Sequence, residues 1–253
     1  MITLALYNLK GGVGKTTTAV NLAWLASEAK KRTVLWDWDP QAAASWYCGL
    51  DVNTLPAIKL LRGDAPVGTL RRATPYDRLT VIPADLSLRK TDTELAGVDG
   101  ARKLLRKMSL PLSEDVSILI FDCPPSLSPS MDYLLSAVDV LLLPMIPSPL
   151  SLRAMEQVLD FFAAKKKAPK HIYGFFNMVD LRRTLHKDTL AQAKALPLPI
   201  LKTWVPMDSA AERMAVLRQP LPSYAKNGRA AQAYRNMWRE LTAIIKKDLK
   251  AIP

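Results

Sequence analysis

The sequence predicts an α/β fold: one domain over residues 1–253, with a mostly parallel central sheet of about seven strands flanked by helices on both faces. Three observations carry this expectation. Short β-branched or leucine-rich runs alternate with amphipathic stretches along most of the chain, the pattern of parallel strands joined by crossover helices. A glycine-rich turn separates the first such run from the first helical stretch. At 253 residues and 49% apolar, the chain can bury a full core without a second domain. No internal repeat or low-complexity linker interrupts it.

The elements follow in order. Ile2 to Tyr7 is the first apolar run, and Thr16 to Lys31 the first helical pattern. Thr33 to Trp38, β-branched then aromatic, gives the second strand, and Leu79 to Pro83 the third. A helix is expected from Thr93 to Met108. Val116 to Asp122, built on Ile118-Leu119-Ile120-Phe121, is the fourth strand. Pro129 to Ala137 is helical, Val138 to Pro144 a leucine-rich strand, and Leu150 to Lys166 an amphipathic helix. Ile172 to Met178 and Ile200 to Val205 complete the strands. Helices at Leu185 to Leu196, Ser209 to Leu217 and Arg229 to Leu249 complete the chain.

Composition narrows the class. No apolar run approaches the ~18 residues of a membrane span, and a charged loop arrives by Lys10, which does not fit a signal peptide. The expected location is cytoplasmic. Cys48 and Cys123 have no metal-ligand spacing and are expected to be reduced and buried.

The run Lys10-Gly11-Gly12-Val13-Gly14-Lys15-Thr16-Thr17 lies between strand and helix, the context a phosphate-binding loop requires. Gly11, Gly12 and Gly14 let the backbone curl so that successive N–H groups point inward, and the helix N-terminus adds partial positive charge. Lys15 can reach β- and γ-phosphates, and the Thr16 hydroxyl can bind Mg²⁺. Lys10 is a second lysine that an ordinary loop of this kind does not need.

Ligands of such sheets bind at the carboxyl ends of the strands. Two ends carry carboxylates: Asp37-Trp38-Asp39-Pro40-Gln41 after the second strand, and Asp122-Cys123-Pro124-Pro125 after the fourth. Asp122 is placed as a Mg²⁺-organising carboxylate, with a turn or helix cap as its alternative. Asp37 and Asp39 could both face the phosphates, since alternate strand residues share a side, or one could form the turn before Pro40.

Together, the Lys10 to Thr17 loop, Asp37 to Gln41 and Asp122-Cys123-Pro124-Pro125-Ser126 resemble the ParA/Soj/MinD family of deviant-Walker P-loop ATPases, which partition DNA and position cellular cargo. Pro144 to Arg153, Thr203-Trp204-Val205-Pro206 and the spacing of Pro220, Tyr224, Arg229 and Tyr234 extend the resemblance over nearly the whole chain. It is nearest the ParA-type members that lack an N-terminal helix-turn-helix, because the sequence opens directly on a strand.

The resemblance implies ATP and Mg²⁺ as cofactors and slow, partner-stimulated hydrolysis. Lys10 would reach across a nucleotide-sandwich homodimer to the partner's ATP. Lys15 would hold the β- and γ-phosphates, Thr16 the metal, and Val13, Thr17 and the loop amides would complete the cradle. Asp39 would orient the attacking water, with Asp37 and Asp122 near the metal through its waters. Asp37, Asp39, Pro40, Pro124 and Pro125 belong to segments that sense the γ-phosphate. Pro206, Met207 and Asp208 would line an adenine pocket. Asn177-Met178-Val179-Asp180 resembles the Asn-Lys-x-Asp guanine motif with methionine at the lysine position, so Asn177 is either a base contact or a turn residue. Ala42-Ala43-Ala44 stands where the family more often has Gly-Asn-Ala, and its frequent Ser-Glu-Ala-Pro stretch is absent around Glu212 to Ala215.

Charge points to a partner. Residues 1–150 hold 16 Lys and Arg against 15 Asp and Glu, whereas residues 151–253 hold 19 against 8. Clustered cations bind phosphate backbones by counterion release without reading sequence. The candidate DNA contacts are Arg182, Arg183, Lys187, Arg213, Arg218, Lys226, Arg229, Arg235, Arg239, Lys246 and Lys247; the alternative is a solvated basic face. The family's ATP-dependent DNA binding favours DNA, with nucleoid association in the ATP state and an activating partner protein on the cargo. MinD-like relatives instead bind membrane through a C-terminal amphipathic helix. Here Tyr234, Met237, Trp238, Leu241, Ile244, Ile245 and Leu249 recur at helical spacing, which suits a core-facing helix and no stable membrane association. A cluster-bridging reductase iron protein would need a suitable cysteine pair, which Cys48 and Cys123 do not make.

Overall fold

The computed structural model describes residues 1–51, 57–62, 64, 66–95, 108–165 and 168–248. In chain order the elements are β1 (Ile2–Leu6), α1 (Lys15–Glu28), β2 (Thr33–Asp37), α2 (Ala43–Tyr47), α3 (Ile58–Arg62), α4 (Val67–Leu70), β3 (Arg72–Ala73), β4 (Leu79–Ile82) and α5 (Thr91–Leu95). Then follow β5 (Ile118–Asp122), α6 (Pro129–Leu135), β6 (Val140–Met145), α7 (Pro149–Ala163), β7 (His171–Phe176), α8 (Thr184–Ala191), α9 (Ser209–Glu212), α10 (Met214–Leu217), α11 (Leu221–Tyr224) and α12 (Arg229–Asp248).

Among the described residues, one seven-stranded sheet runs in the order β3-β4-β2-β5-β1-β6-β7, and only its β3–β4 pair is antiparallel. The expected α/β sheet is therefore present. Successive side chains point to opposite faces, so Ala5, Trp36, Phe121 and Leu141 enter one core while Leu4, Leu6, Leu35, Ile120 and Leu142 enter the other. Burial on both faces is why these strands read as continuous apolar runs. Helices α6 and α7 cover the first face through Met131, Leu134, Met155 and Val158. Helices α1 and α12 cover the second through Leu22, Tyr234, Met237, Leu241 and Ile245. The α12 stripe thus packs in the core, each side chain contributing about 1.5–3 kcal/mol relative to exposure.

The seventh strand is not the expected one. Residues Ile200 to Val205 form no strand; they touch the sheet through isolated parallel bridges at Gly174–Ile200 and Val179–Pro206. Pro197, Pro199 and Pro206 supply no N–H, and the Lys202 and Thr203 amides are diverted to the Glu240 carboxylate at 2.7 and 3.0 Å. The short edge strand β3 makes up the count instead.

Helix boundaries also differ. The expected Leu185 to Leu196 helix stops at Ala191 and passes through a 3₁₀ turn, Ala193–Ala195, because Pro197 forces Leu196 into extended backbone. The expected Ser209 to Leu217 helix is broken in two at Arg213. Asp208 caps the first piece, and Arg218 ends the second at φ 53. Of the Thr93 to Met108 helix, residues 96–107 lie outside the described residues, as do Lys166 and Leu249 at two other predicted ends.

Candidate nucleotide site

The strand order reverses around β1, which has β5 on one side and β6 on the other. A crevice at the carboxyl ends of the strands opens at such a switch point. Residues 8–14 run from β1 to α1 across it. Gly14 is the N-cap of α1 at φ 89, and no side chain caps the helix or places an acid in its first turn. The N-terminal amides of α1 therefore face the crevice without a competing carboxylate, the electrostatics of an anion site.

Side chains brace this loop from three directions. Buried Asn8 donates its amide to Pro144 O at 2.8 Å and accepts the Lys10 N–H at 2.9 Å. Lys15 donates its ammonium to Lys10 O at 3.1 Å. From below, the Asn177 amide donates to Val13 O at 2.8 Å. Gly14 is required twice over: its φ lies in the left-handed region, and a Cβ there would collide with that same Asn177 amide. Gly12 is also left-handed, at φ 71.

The carboxylates of the two strand ends converge. Asp37 and Asp122 are register partners on neighbouring strands, and both are fully buried. Asp37 accepts from Ser45 N at 2.9 Å, Ser45 Oγ at 2.8 Å and Asp39 N at 3.1 Å. Burial nevertheless raises its pKa to about 7. Asp122 is raised well above the usual range, first by burial and then by Asp37. Burial lowers the pKa of Lys15, with Asp122 and Asp39 pulling the other way. Asp39 accepts the Gln41 N–H at 2.9 Å, so it forms the turn at Pro40 while remaining next to the site.

Neither oxygen of Asp122 has a hydrogen-bond partner among the described residues. The Thr16 hydroxyl is near enough to moderate its pKa but does not meet hydrogen-bond geometry. A fully buried carboxylate without a donor is costly, and a hydrated divalent cation would satisfy it. Thr16, Asp37 and Asp122 therefore fit Mg²⁺ in the manner of phosphate-loop sites, where the metal keeps several waters.

After Asp122, Cys123 is buried, Pro124 half-buried and Pro125 exposed. The Tyr7 hydroxyl, at the end of a fully buried side chain, donates to Ser126 O at 2.8 Å and ties this segment to β1. Lys10 forms no side-chain hydrogen bond or ion pair among the described residues. A cavity of 440 Å³ is lined by Asp180, Arg182, Trp204, Pro206, Met207 and Arg229, among others. Pro206 and Met207 line this cavity, but Asp208 is committed to capping, accepting from Ala210 N and Ala230 N. Asn177 is not among the lining residues; it is 2% exposed and gives its amide to Val13 O.

The basic candidates divide. Arg182 is chelated by Asp180 at 2.8–2.9 Å, Arg218 is paired with Asp51, and Arg235 donates to the Lys226 and Pro222 carbonyls. Arg239 reaches Asn236 at 3.4 Å. Arg183, Lys187, Arg213, Lys226, Arg229, Lys246 and Lys247 are exposed and form no ion pair among the described residues.

Three side chains that shape the site were absent from the sequence-based set: Tyr7, Asn8 and Ser45. Asn8 had a signal, a polar residue ending an apolar run beside the loop. Tyr7 and Ser45 act through contacts made only in the folded chain.

Residues 1–172 match the family model described as AAA domain. The chain is 28% identical to the chromosome-partitioning ATPase Soj of Treponema pallidum, covering 95% of this chain and 97% of that protein. Identity to Soj of Thermus thermophilus is 30%, with 96% of each covered. Among solved structures, cobyrinic acid a,c-diamide synthase from Mycobacterium smegmatis, with a bound ATP analogue and magnesium, superposes at a TM-score of 0.83 and 25% identity, covering 100% of this chain and 98% of that one.

Proposed function

Because the chain belongs to the ParA/Soj/MinD family of P-loop ATPases and has ATP and Mg²⁺ as its cofactors, we propose that it pairs as an ATP-bound homodimer, binds DNA without sequence preference in that state, and positions a cargo. The observation that carries the site is Asp122, buried and without a donor beside Lys15 and the open N-terminus of α1.

Lys15 leaves the Lys10 carbonyl to hold the β- and γ-phosphates, while the loop amides and α1 take up the remaining charge. Held by Thr16 and, through water, by Asp37 and Asp122, Mg²⁺ would neutralise phosphate oxygens. Asp39 orients the attacking water, and Lys10 of each copy reaches the nucleotide of the other. Rate is gained by positioning and charge stabilisation, without a covalent step. Pro124, Pro125 and the Asp39–Pro40 turn move with the γ-phosphate. Pro206 and Met207 flank the base, and the Asn177 Oδ1 accepts from the adenine amino group.

DNA is favoured by the charge of residues 151–253 and by its arrangement on α12. Arg235, Arg239 and Lys246 follow at helical spacing on one stripe, away from the buried stripe of Tyr234, Met237, Leu241 and Ile245. That buried stripe weighs against a membrane-binding α12. Among the described residues no helix is long and apolar enough to cross a membrane. A cargo-borne partner stimulates hydrolysis and releases the DNA; nucleoid association follows from the ATP state.

The test combines phosphate release with binding to random-sequence DNA and to anionic liposomes under Mg·ATP and Mg·ADP. DNA binding confined to ATP supports the reading. Liposome binding with no affinity for DNA replaces it with the MinD-like alternative.

A further inference from the structure

We infer that Trp46 is a positioning residue that carries the state of the phosphate site to Arg218 and so to the basic surface. The inference rests on the nucleotide reading above, and the contacts form a continuous series from the site. One Asp37 carboxylate holds both the Asp39 amide and Ser45, so the turn that presents Asp39 and the helix α2 share a single anchor. Ser45 Oγ also accepts the Ala84 N–H at 3.3 Å, which fixes α2 against the end of β4.

The next residue is Trp46, and it leaves the core. Its ring lies under the Arg218 guanidinium at 3.9 Å, close enough for a cation–π contact. The indole N–H donates to Ala215 O at 2.9 Å, and Arg218 Nε reaches back to Trp46 O at 3.5 Å. Asp51 takes another edge of the same guanidinium at 2.9 Å. Through one side chain, α2 is fastened to the backbone of α10 and to the arginine that ends it.

The backbone marks both ends of this connection. Helix α2 starts from Ala42 at φ 53, and α10 ends at Arg218 at φ 53. Each is a residue with a Cβ in the left-handed region that favours glycine. Such conformations persist where surrounding contacts impose them, and here those contacts meet at Trp46. A rearrangement of Asp37 and Asp39 around metal and phosphate must displace Ser45 or break its hydrogen bonds. Moving Ser45 moves Trp46, and the Arg218 guanidinium loses or changes its stack. Arg218 is then available to a phosphate backbone in one nucleotide state and held by Trp46 and Asp51 in the other.

Hydrogen exchange over residues 210–221 reads the relay without DNA. Protection there should differ between Mg·ATP and Mg·ADP in the unaltered protein, and the difference should be lost in Trp46→Ala with nucleotide binding retained. No difference in the unaltered protein, or an undiminished one in Trp46→Ala, overturns the inference. If Trp46→Ala does not fold, Arg218→Gly removes the stack while accepting the left-handed backbone, and the same loss is required of it. A DNA arm separates this inference from the reading it rests on: the ratio of DNA affinities in ATP and ADP should fall toward one in Trp46→Ala. Absence of DNA binding by the unaltered protein defeats the DNA proposal, while the exchange result still decides the relay.

Discussion

Asp37 and Asp122 stand in register at the carboxyl ends of β2 and β5, both fully buried, the first satisfied by three donors and the second by none among the described residues. Two neighbouring carboxyls in one desolvated place resist joint ionisation. They differ in their partners: Asp37 is held by Ser45 and the Asp39 amide, whereas Asp122 has no donor among the described residues.

This pair sets a pH dependence. Both pKa values are raised on folding, Asp37 to about 7, so between the unfolded carboxyl pKa and the folded value the native state binds more protons than the unfolded one. Stability from this source is greatest at low pH and is lost as pH rises through about 7. The melting temperature of the nucleotide-free protein should fall from pH 5 to pH 8, and Asp37→Asn should flatten that slope. A slope unchanged by Asp37→Asn would remove Asp37 as its source.

Lys15→Ala should reduce phosphate release by about 10²-fold or more, the usual scale for deleting a preorganised charge at a developing anion. It should also abolish ATP-dependent DNA binding. Retention of that binding would uncouple the surface from the phosphate loop.

Asp39→Ala should bind ATP, turn over slowly and accumulate as a dimer that holds DNA, seen by light scattering together with phosphate release. Lys10→Ala should likewise keep ATP binding and lose hydrolysis. Normal turnover in either variant assigns its residue no part in the reaction.

Asn177→Ala separates two roles. If the residue only braces Val13, affinity for ATP and GTP should fall together. If, as proposed, its Oδ1 accepts from the adenine amino group, the result is a larger loss for ATP and a reduced preference between the two, measured by calorimetry.

DNA affinity should decline steeply between 50 and 200 mM salt, as counterion release requires for a multi-phosphate contact. Arg235→Glu with Lys246→Glu should reduce that slope. A salt-insensitive interaction would locate DNA binding elsewhere.

Much of the fold was legible because a strand buried on two faces leaves an unbroken apolar run, as in Ile118 to Phe121 and Val140 to Leu143. The site was legible because phosphate chemistry constrains glycine, lysine and threonine spacing within one loop. Ile200 to Val205 reads as a strand on composition alone, since the competing Glu240 lies 37 residues from Thr203. The break at Arg213 and the left-handed Arg218 were hidden for a similar reason: Trp46 and Asp51, distant in sequence, hold that turn. Ser45 and Tyr7 have no local signature, because their roles depend on which loops the sheet order brings together.

The cover over β7 has a consequence for assembly. A bare sheet edge is a template on which another chain can continue the ladder, yet here one margin carries a proline-punctuated strap clamped by Glu240 and the other ends in a strand of two residues. Neither margin therefore offers a second copy a long free strand on which to extend the ladder. Glu240→Ala, by freeing the strap, should produce polymers without nucleotide, seen by sedimentation, that the unaltered protein does not form.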